Sequence, residues 1–160
     1  MVDVPFTKSH GLCNDYFIVE RGAIPDAASD LAVAMCDRRT GVGADGLIVI
    51  GSGEAEAASF RIFNADGSEA ELCGNGLRCA AVHEAGGEEG SVVIESAVGR
   101  HRAEVMRGPG GQWRVAMDLA VMARLLRVSG IGVVQYLIST ASFLGLIRIL
   151  APFGETALAG

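Results

Sequence analysis

The sequence predicts an α+β domain, and three observations support this class. The chain has 160 residues, half of them hydrophobic, which is enough to bury a core within one domain of ordinary size. Short runs rich in β-branched and aromatic residues are separated by Gly, Asp or Asn, as in strands. Two other segments space their apolar residues as helices do, so strands and helices are expected to share one core.

Seven segments are predicted to be strands. In the last of them, Trp113, Val115 and Met117 alternate with Arg114 and other residues, which is the pattern of a strand with one buried face. In chain order the segments are "VPFTKS", "DYFIVE", "GLIVI", "SFRIFNA", "SVVIESA", "HRAEVM" and "QWRVAMD".

The first predicted helix lies between the second and third of these strands. It runs from about Asp26 through "AASDLAVAMCDRR". Leu31, Ala34 and Met35 share one face in this prediction, and Asp26 or Ser29 is expected to cap the N-terminus.

The composition excludes several classes of partner and cofactor. A net charge of −6 and a pI near 5.0 argue against nucleic acid and anionic membranes. The N-terminus "MVDVPFTKSHG" has no apolar core preceded by positive charge, so no signal peptide is expected. The four cysteines form no CxxC pair and no metal-ligand spacing with the three histidines. We therefore expect a cytoplasmic protein with reduced thiols and no metal site.

The character of the chain changes after Asp118. We predict a domain over residues 1–118 and an apolar tail over 119–160 that matches no assigned element. Val128 to Ile147 is a stretch of 20 residues without a charge, about the length that spans a bilayer. It also contains polar residues and glycines, so a buried or non-native tail is favoured over a transmembrane helix. A frameshifted or truncated reading frame is a further hypothesis for the change.

The stretch "ELCGNGLRCAA" places Cys73 directly before the second predicted helix, which ends at Gly86 and Gly87 as a C-cap. The unpaired N–H groups and the positive dipole end of a helix N-terminus stabilise a thiolate. The same N–H groups can hold a carboxylate, and Gly74 and Gly76 let a ligand approach the backbone. One short motif thus predicts both a base and an anion site. The alternative is a strand-to-helix turn whose cysteine is incidental.

Three motifs resemble the N-terminal half of diaminopimelate epimerase. They are "FTKSHGLCNDYFIVE", "RRTGVGADGLIVI" and "FRIFNADGSEAELCGNGLRCAA", and they cover about residues 4–85 densely. The resemblance implies a curved, mostly antiparallel sheet wrapped around a central helix. It also implies an isomerase of lysine and peptidoglycan-precursor biosynthesis that converts LL-2,6-diaminopimelate to the meso form without pyridoxal phosphate or metal. In that family two cysteines, one from each of two similar domains, exchange the α-proton across a cleft.

The resemblance also implies roles for five residues. Cys73 matches one catalytic cysteine, and the backbone N–H groups of Gly74 and Asn75 match the cradle of the substrate α-carboxylate. Asn14 and Asn64 match asparagines that hold the distal amino and carboxyl groups of the substrate. For both asparagines the alternative is a turn residue.

Other residues of the motifs are assigned structural roles. The "GVGADG" segment resembles a loop that packs beside the active site. Cys13, Cys36 and Cys79 are interpreted as packing thiols, and Asp15 as a capping or surface charge.

The sequence departs from the family after Asp118. No cysteine follows Cys79, so the second catalytic thiol is absent from these residues, and the enzyme is expected to be incomplete as given. One alternative is a related amino-acid racemase or isomerase of the same fold, such as the proline racemase or phenazine-type groups. Another is an inactive amino-acid-binding remnant with a membrane-associated tail. The expected partner is a small-molecule substrate, and a homodimer is compatible with the sequence.

Overall fold

A computed structural model describes residues 3–24 and 27–118 of this protein. Within them, eight strands form one sheet in the order β1-β2-β3-β4-β6-β7-β8, with β5 paired to β4. Two α-helices and two short 3₁₀ turns, Arg21–Ala23 and Pro109–Gly111, complete the set. The strands are Thr7–Gly11, Asn14–Glu20, Gly46–Ser52, Ala58–Asn64, Glu69–Ala70, Gly90–Ser96, Gly99–Arg107 and Trp113–Met117 (β1 to β8), and the helices are Ala28–Cys36 (α1) and Gly74–Glu84 (α2).

The sheet is mixed and mostly antiparallel. Only the β2/β3 and β4/β6 pairs among the described strands are parallel, and each needs a long crossover connection. Helix α1 lies in the first crossover and α2 in the second. The alternation predicted for β8 is confirmed, since Trp113, Val115 and Met117 are half-buried and Arg114 is exposed.

Helix α1 covers one face of the sheet. Its buried residues, Ala28, Ala32 and Cys36, form a core cluster with side chains from the facing strands. These strand residues lie on the same face because side chains alternate along a strand. The strand members of the cluster are Phe17, Val19, Leu47, Val49 and Phe63.

Helix α2 is central. It packs against β1, β2, β3, β4, β6, β7 and β8, so the sheet curls around it as the resemblance implied. Leu77, Ala80 and Ala81 have no exposed surface. Close approach to β4 requires Gly76, because a Cβ atom there would lie 2.9 Å from Ile62 Cδ1. The predicted C-terminal boundary is confirmed by Gly86, whose φ of 62° follows the end of the helix.

The first helix differs from its prediction in its cap and its face. The N-cap residue is Ala27, and the predicted cap Ser29 lies inside the helix, where its Oγ donates to the Gly67 carbonyl at 2.7 Å. Ala34, predicted to face the core, is exposed because Ala28, Ala32 and Cys36 form the buried row. Asp26, the other predicted cap, lies outside the described residues.

Two further predictions concern residues beyond the described part of the chain. The buried or non-native tail, favoured over a membrane span for Val128–Ile147, and the domain boundary at residue 119 both remain predictions. Among residues 3–24 and 27–118, no helix is long and apolar enough to cross a membrane.

Candidate active site

Cys73 is the N-cap residue of α2, as the sequence predicts. Its backbone is extended (φ −140°, ψ 113°), and the helix begins at Gly74. Its Sγ atom accepts a hydrogen bond from the Gly76 N–H at 3.4 Å, and its carbonyl accepts from the Leu77 N–H at 2.9 Å. The thiol is half-buried. It therefore sits at the positive end of a helix dipole and remains within reach of solvent.

A second side chain reaches the same sulfur from the sheet. The Tyr16 hydroxyl, on β2, lies 3.2 Å from Cys73 Sγ, and Tyr16 is only 5% exposed. Burial, followed by the contact with Cys73, raises the pKa of the Tyr16 phenol well above its ordinary value. Gly46 lies opposite Tyr16 on β3, and a Cβ there would lie 2.7 Å from the Phe63 carbonyl oxygen, so the close approach of β3 to β4 requires glycine at this position. Sequence reasoning missed Tyr16.

Asn14 and Asn75 are joined by a direct hydrogen bond. Asn75 Nδ2 donates to Asn14 Oδ1 at 2.8 Å, and Asn14 Nδ2 donates to Asp45 Oδ2 at 3.2 Å. Arg78, one turn along α2, donates to Asn75 Oδ1 at 3.1 Å. The start of β2, the loop before β3 and the first turn of α2 therefore meet at one place. Two of the predicted site residues, Asn14 and Asn75, are thus brought together, and the side chain of each is oriented by a charged neighbour.

The "GVGADG" loop packs beside this group, as expected from the resemblance. Asp45 Oδ2 accepts from the Asp15 N–H at 3.0 Å. Arg38 NH2 bridges the two carboxylates, at 2.6 Å from Asp15 and 2.9 Å from Asp45, and Lys8 lies 3.2 Å from Asp15. The Arg38 guanidinium, more than Lys8, holds the pKa of Asp15 well below its usual range. Asp15 therefore forms ion pairs that hold this loop in place. The sequence alone predicts only a capping or surface charge for it.

Asn64 is the last residue of β4, directly before the turn to β5. Its Nδ2 donates to Ser68 Oγ at 2.9 Å, and its backbone N–H donates to the Ser68 carbonyl at 2.8 Å. The register places Asn64 opposite Gly46, which is in turn opposite Tyr16, so the three residues share one line across the sheet. These contacts match the alternative of a turn residue, and the ligand role of Asn64 stays a prediction.

The other three cysteines differ from Cys73 in exposure. Burial raises the pKa of the Cys36 thiol to about 11 and also raises the pKa of Cys79. Both are buried packing thiols, as predicted. Cys13 is exposed, and the prediction of a packing thiol is wrong there. It sits in the two-residue turn between β1 and β2, where Leu12 and Cys13 both have positive φ (51° and 70°), and such turns lie at the surface.

A groove of about 830 Å³ opens between β1, α2 and β8. Arg78, Cys79 and Trp113 help line it, and Cys73 does not. Because Cys79 is six residues along α2 from Cys73, roughly 9 Å, the groove lies beyond the first turn of the helix. Within the described ranges, no group of three or more His, Cys, Asp or Glu side chains is placed to hold a metal ion.

The comparison with family models decides the classification. A model described as diaminopimelate epimerase matches residues 6–122. The chain belongs to the diaminopimelate epimerase family. The resemblance drawn from the three motifs is thereby confirmed, and the family match includes every predicted site residue.

Relatives match the same part of the chain. The diaminopimelate epimerase of Caldanaerobacter subterraneus subsp. tengcongensis is 54% identical over 83 residues, which are 51% of this chain and 30% of that protein. The diaminopimelate epimerase of a Geobacillus species (strain WCH70) is 43% identical over 120 residues, 71% of this chain and 42% of that protein. The chain therefore spans less than half the length of these relatives.

A solved structure confirms the fold class. The crystal structure of the Bacillus anthracis phenazine biosynthesis protein, PhzF family, matches with a TM-score of 0.51 and 23% identity, covering 72% of this chain and 38% of that one. At this identity the likeness concerns the fold alone. It agrees with the curved sheet around α2.

Proposed function

We propose that this chain supplies one half of the active site of a diaminopimelate epimerase, in which Cys73 exchanges the α-proton of LL-2,6-diaminopimelate on the way to the meso form. The observation that carries the proposal is the half-buried Cys73 thiol at the N-terminus of α2, inside the part of the chain that the family model matches.

The chemistry requires a base and a place for developing negative charge. In the proposal, the Cys73 thiolate accepts the α-proton, while the Gly74 and Asn75 N–H groups bind the substrate α-carboxylate at the helix N-terminus. An amino-acid α-proton is very weakly acidic, so donors fixed in advance around the carboxylate supply much of the stabilisation. The hydrogen bond from Asn75 to Asn14 fixes the first turn of α2 in this way.

Inversion needs a second proton-transfer group on the opposite face of the α-carbon. The family mechanism assigns this to a second cysteine, and residues 80–160 contain none. We therefore infer that the 160-residue chain binds the substrate and turns it over little unless a second domain is supplied.

The distal end of the substrate is assigned to Asn14 and Asn64. The hydrogen bonds described for each amide leave one N–H on both asparagines, one oxygen lone pair on Asn14 and both oxygen lone pairs on Asn64. A substrate with a distal amino and carboxyl group can use both donors and acceptors. Proline, the substrate class of fold-related racemases, has no such group, so this assignment favours diaminopimelate.

The proposal also places the protein in the cytoplasm and leaves its assembly to experiment. The four free cysteines suit a reducing compartment, in which thiols persist. A homodimer stays a prediction, which light scattering of the purified chain measures.

Protection of Cys73 from iodoacetamide tests the proposed substrate on the full 160-residue chain. LL-diaminopimelate at about 1 mM, the upper end of ordinary KM values, should slow the alkylation of Cys73 as followed by peptide mass spectrometry. Lysine, which lacks the distal carboxylate, and proline should protect much less. Cys13, an exposed thiol outside the assigned contacts, provides the internal control and should react at the same rate throughout. Equal rates at Cys73 with and without LL-diaminopimelate would contradict the proposal.

A further inference from the structure

We propose that Tyr16 is a positioning residue of the active site, whose hydroxyl donates a hydrogen bond to Cys73 Sγ, fixes the direction of the sulfur and stabilises its thiolate form. This inference rests on the function proposed above for Cys73. It adds a residue that neither the three motifs nor the family comparison assigns.

Hydrogen-bonding groups from two elements meet at the sulfur, and in this proposal both donate to it. The Gly76 N–H approaches at 3.4 Å from within α2, and the Tyr16 hydroxyl approaches at 3.2 Å from β2. A thiol sulfur is a weak acceptor, whereas a charged acceptor makes hydrogen bonds roughly twice as strong. Both contacts therefore favour the thiolate over the thiol, and together they hold the sulfur at the start of the helix.

The surroundings of Tyr16 keep its hydroxyl in the donating form. The phenol is buried, and the groups that act on it are Cys73 and Cys79 from α2 and Asp45 from the loop before β3. Each of these is neutral or negative, so each opposes a phenolate. The pKa of Tyr16 is accordingly raised, and the hydroxyl retains its proton over the pH range in which a thiol titrates.

The backbone fixes where the hydroxyl points. Tyr16 lies in the parallel β2/β3 ladder opposite Gly46, and it is only 5% exposed, so its ring is packed on nearly all sides. The ring thus cannot follow a displaced sulfur without disturbing the sheet. Tyr16 acts on Cys73 and has no contact with substrate in this proposal.

The test is the pH profile of Cys73 alkylation in the full chain, in the parent and in Tyr16→Phe. Removing the hydroxyl should move the midpoint of the profile to higher pH by about one unit, a tenfold loss of thiolate at neutral pH, as expected when a charged group loses one hydrogen bond. The midpoint is the readout because a purely structural role of the ring, which phenylalanine preserves, would not move it.

Ser9→Ala is the matched control. Ser9 on β1 makes a hydroxyl hydrogen bond to Cys79, the other cysteine of the same helix. The Ser9→Ala substitution removes a hydroxyl from a neighbouring strand without changing the contacts of Cys73. The midpoint of the Cys73 alkylation profile should therefore stay unchanged. A shift of equal size in both variants would overturn the specific role of Tyr16.

A second measurement covers the case in which Tyr16→Phe does not fold. Incorporation of 3-fluorotyrosine gives an almost isosteric ring whose hydroxyl is a stronger donor, and it should move the Cys73 midpoint to lower pH. An unchanged midpoint with fluorotyrosine, or in folded Tyr16→Phe, would overturn the proposal. Neither measurement involves diaminopimelate, so a failure here is distinct from a failure of substrate protection.

Discussion

The two α-helices of this domain occupy equivalent places in the chain but differ in what their N-termini contact. Each lies in a crossover between parallel strands, α1 between β2 and β3 and α2 between β4 and β6. At the start of α1 stands Ala27, which has no side-chain acceptor. At the start of α2 stands Cys73, whose sulfur accepts from its own helix and contacts Tyr16. The same type of connection thus gives a packing element in one case and a candidate active site in the other.

The difference lies in what surrounds each N-terminus. The polar contact of the first turn of α1 is structural, since Ser29 donates to the Gly67 carbonyl of the β4–β5 turn. The first turn of α2 meets Asn14, which is itself oriented by Asp45. A helix N-terminus alone is common to all helices. Here the half-buried thiol cap and the polar partners brought by distant strands distinguish α2.

Replacing the cysteines of the two helices should give the largest and most divergent effects. In a chimera that joins residues 1–118 to the part of the Caldanaerobacter relative that this chain does not match, Cys73→Ser should lower epimerase turnover by about 10²- to 10⁴-fold, because an alcohol stays protonated at neutral pH. Serine is a favourable N-cap, so the thermal midpoint should hold. Turnover within about tenfold of the parent chimera would remove Cys73 from the mechanism.

Cys36→Ser is the counterpart in α1. It should keep turnover in the same chimera and lower the free energy of unfolding by about 1–3 kcal/mol, because a hydroxyl replaces a thiol in an apolar core. Urea unfolding measures this. A loss of turnover without a loss of stability would show that α1 also takes part in the chemistry.

Gly41→Ala should destabilise the segment of the chain that directly follows α1. A Cβ at Gly41 would clash with the Ala34 carbonyl oxygen and would lie 2.8 Å from that of Asp37. The backbone after α1 must then move, at a cost of about 3 kcal/mol in unfolding free energy. Gly22→Ala, where nothing lies within 4 Å of the added atom, is the control. Similar urea midpoints for the two variants would contradict the packing described at the end of α1.

Alkylation of the parent chain compares the two helices directly. Cys73 should react with sub-stoichiometric iodoacetamide at pH 7 at least about tenfold faster than Cys36 or Cys79. Burial raises the pKa values of Cys36 and Cys79, and each pKa unit changes the thiolate fraction tenfold. Cys13 is exposed and is the main competitor. Peptide mapping that finds Cys36 or Cys79 labelled first would remove the distinction drawn here.

The smallest expected effect is the pH dependence contributed by Asp15. Because its pKa in the folded protein is lowered, mainly by Arg38, its stabilisation is fully present above the unfolded value of about 3.9 and is lost as pH falls below it. Asp15→Asn should therefore be less stable than the parent at pH 7, and the two should converge in acid. The difference should be small, since the Arg38 side chain is 57% exposed and exposed ion pairs contribute little. Parallel stability curves from pH 7 to pH 3 would argue against the ion pair.

The local features of the site could be predicted from the sequence, and the long-range ones could not. A cysteine directly before Gly-Asn-Gly and a helical run indicates a helix cap from neighbouring residues alone. The position of Cys73 at the N-terminus of α2 and the bounds of α2 could therefore be predicted from the sequence. Tyr16 contacts Cys73 across 57 positions and Asp45 contacts Asn14 across 31. Nothing in the spacing of one sequence shows which strand faces which helix turn. Only the register between β2, β3 and α2 brings these side chains together.

The sequence predictions that are wrong also concern residues whose environment depends on the surrounding fold. Ser29 was predicted as a cap from its residue type, and the β4–β5 turn bound it instead. The two-residue strand β5 was missed because Glu69–Ala70 has no strand pattern of its own and pairs only with β4. Cys13 was predicted to pack, and the tight β1–β2 turn exposes it.

The enclosure of α2 by both ends of the sheet has a consequence during synthesis on the ribosome. The residues Leu77, Ala80 and Ala81, which have no exposed surface in the fold, need strands that lie on both sides of them in the chain. The 33 residues from Ala85 to Met117 leave the ribosome after α2, over about 2 to 7 s at ordinary elongation rates. For that interval the apolar faces of the helix that starts at Cys73 lack β6, β7 and β8. The nascent chain therefore passes through a stage in which its future core is open to chaperones and to other chains.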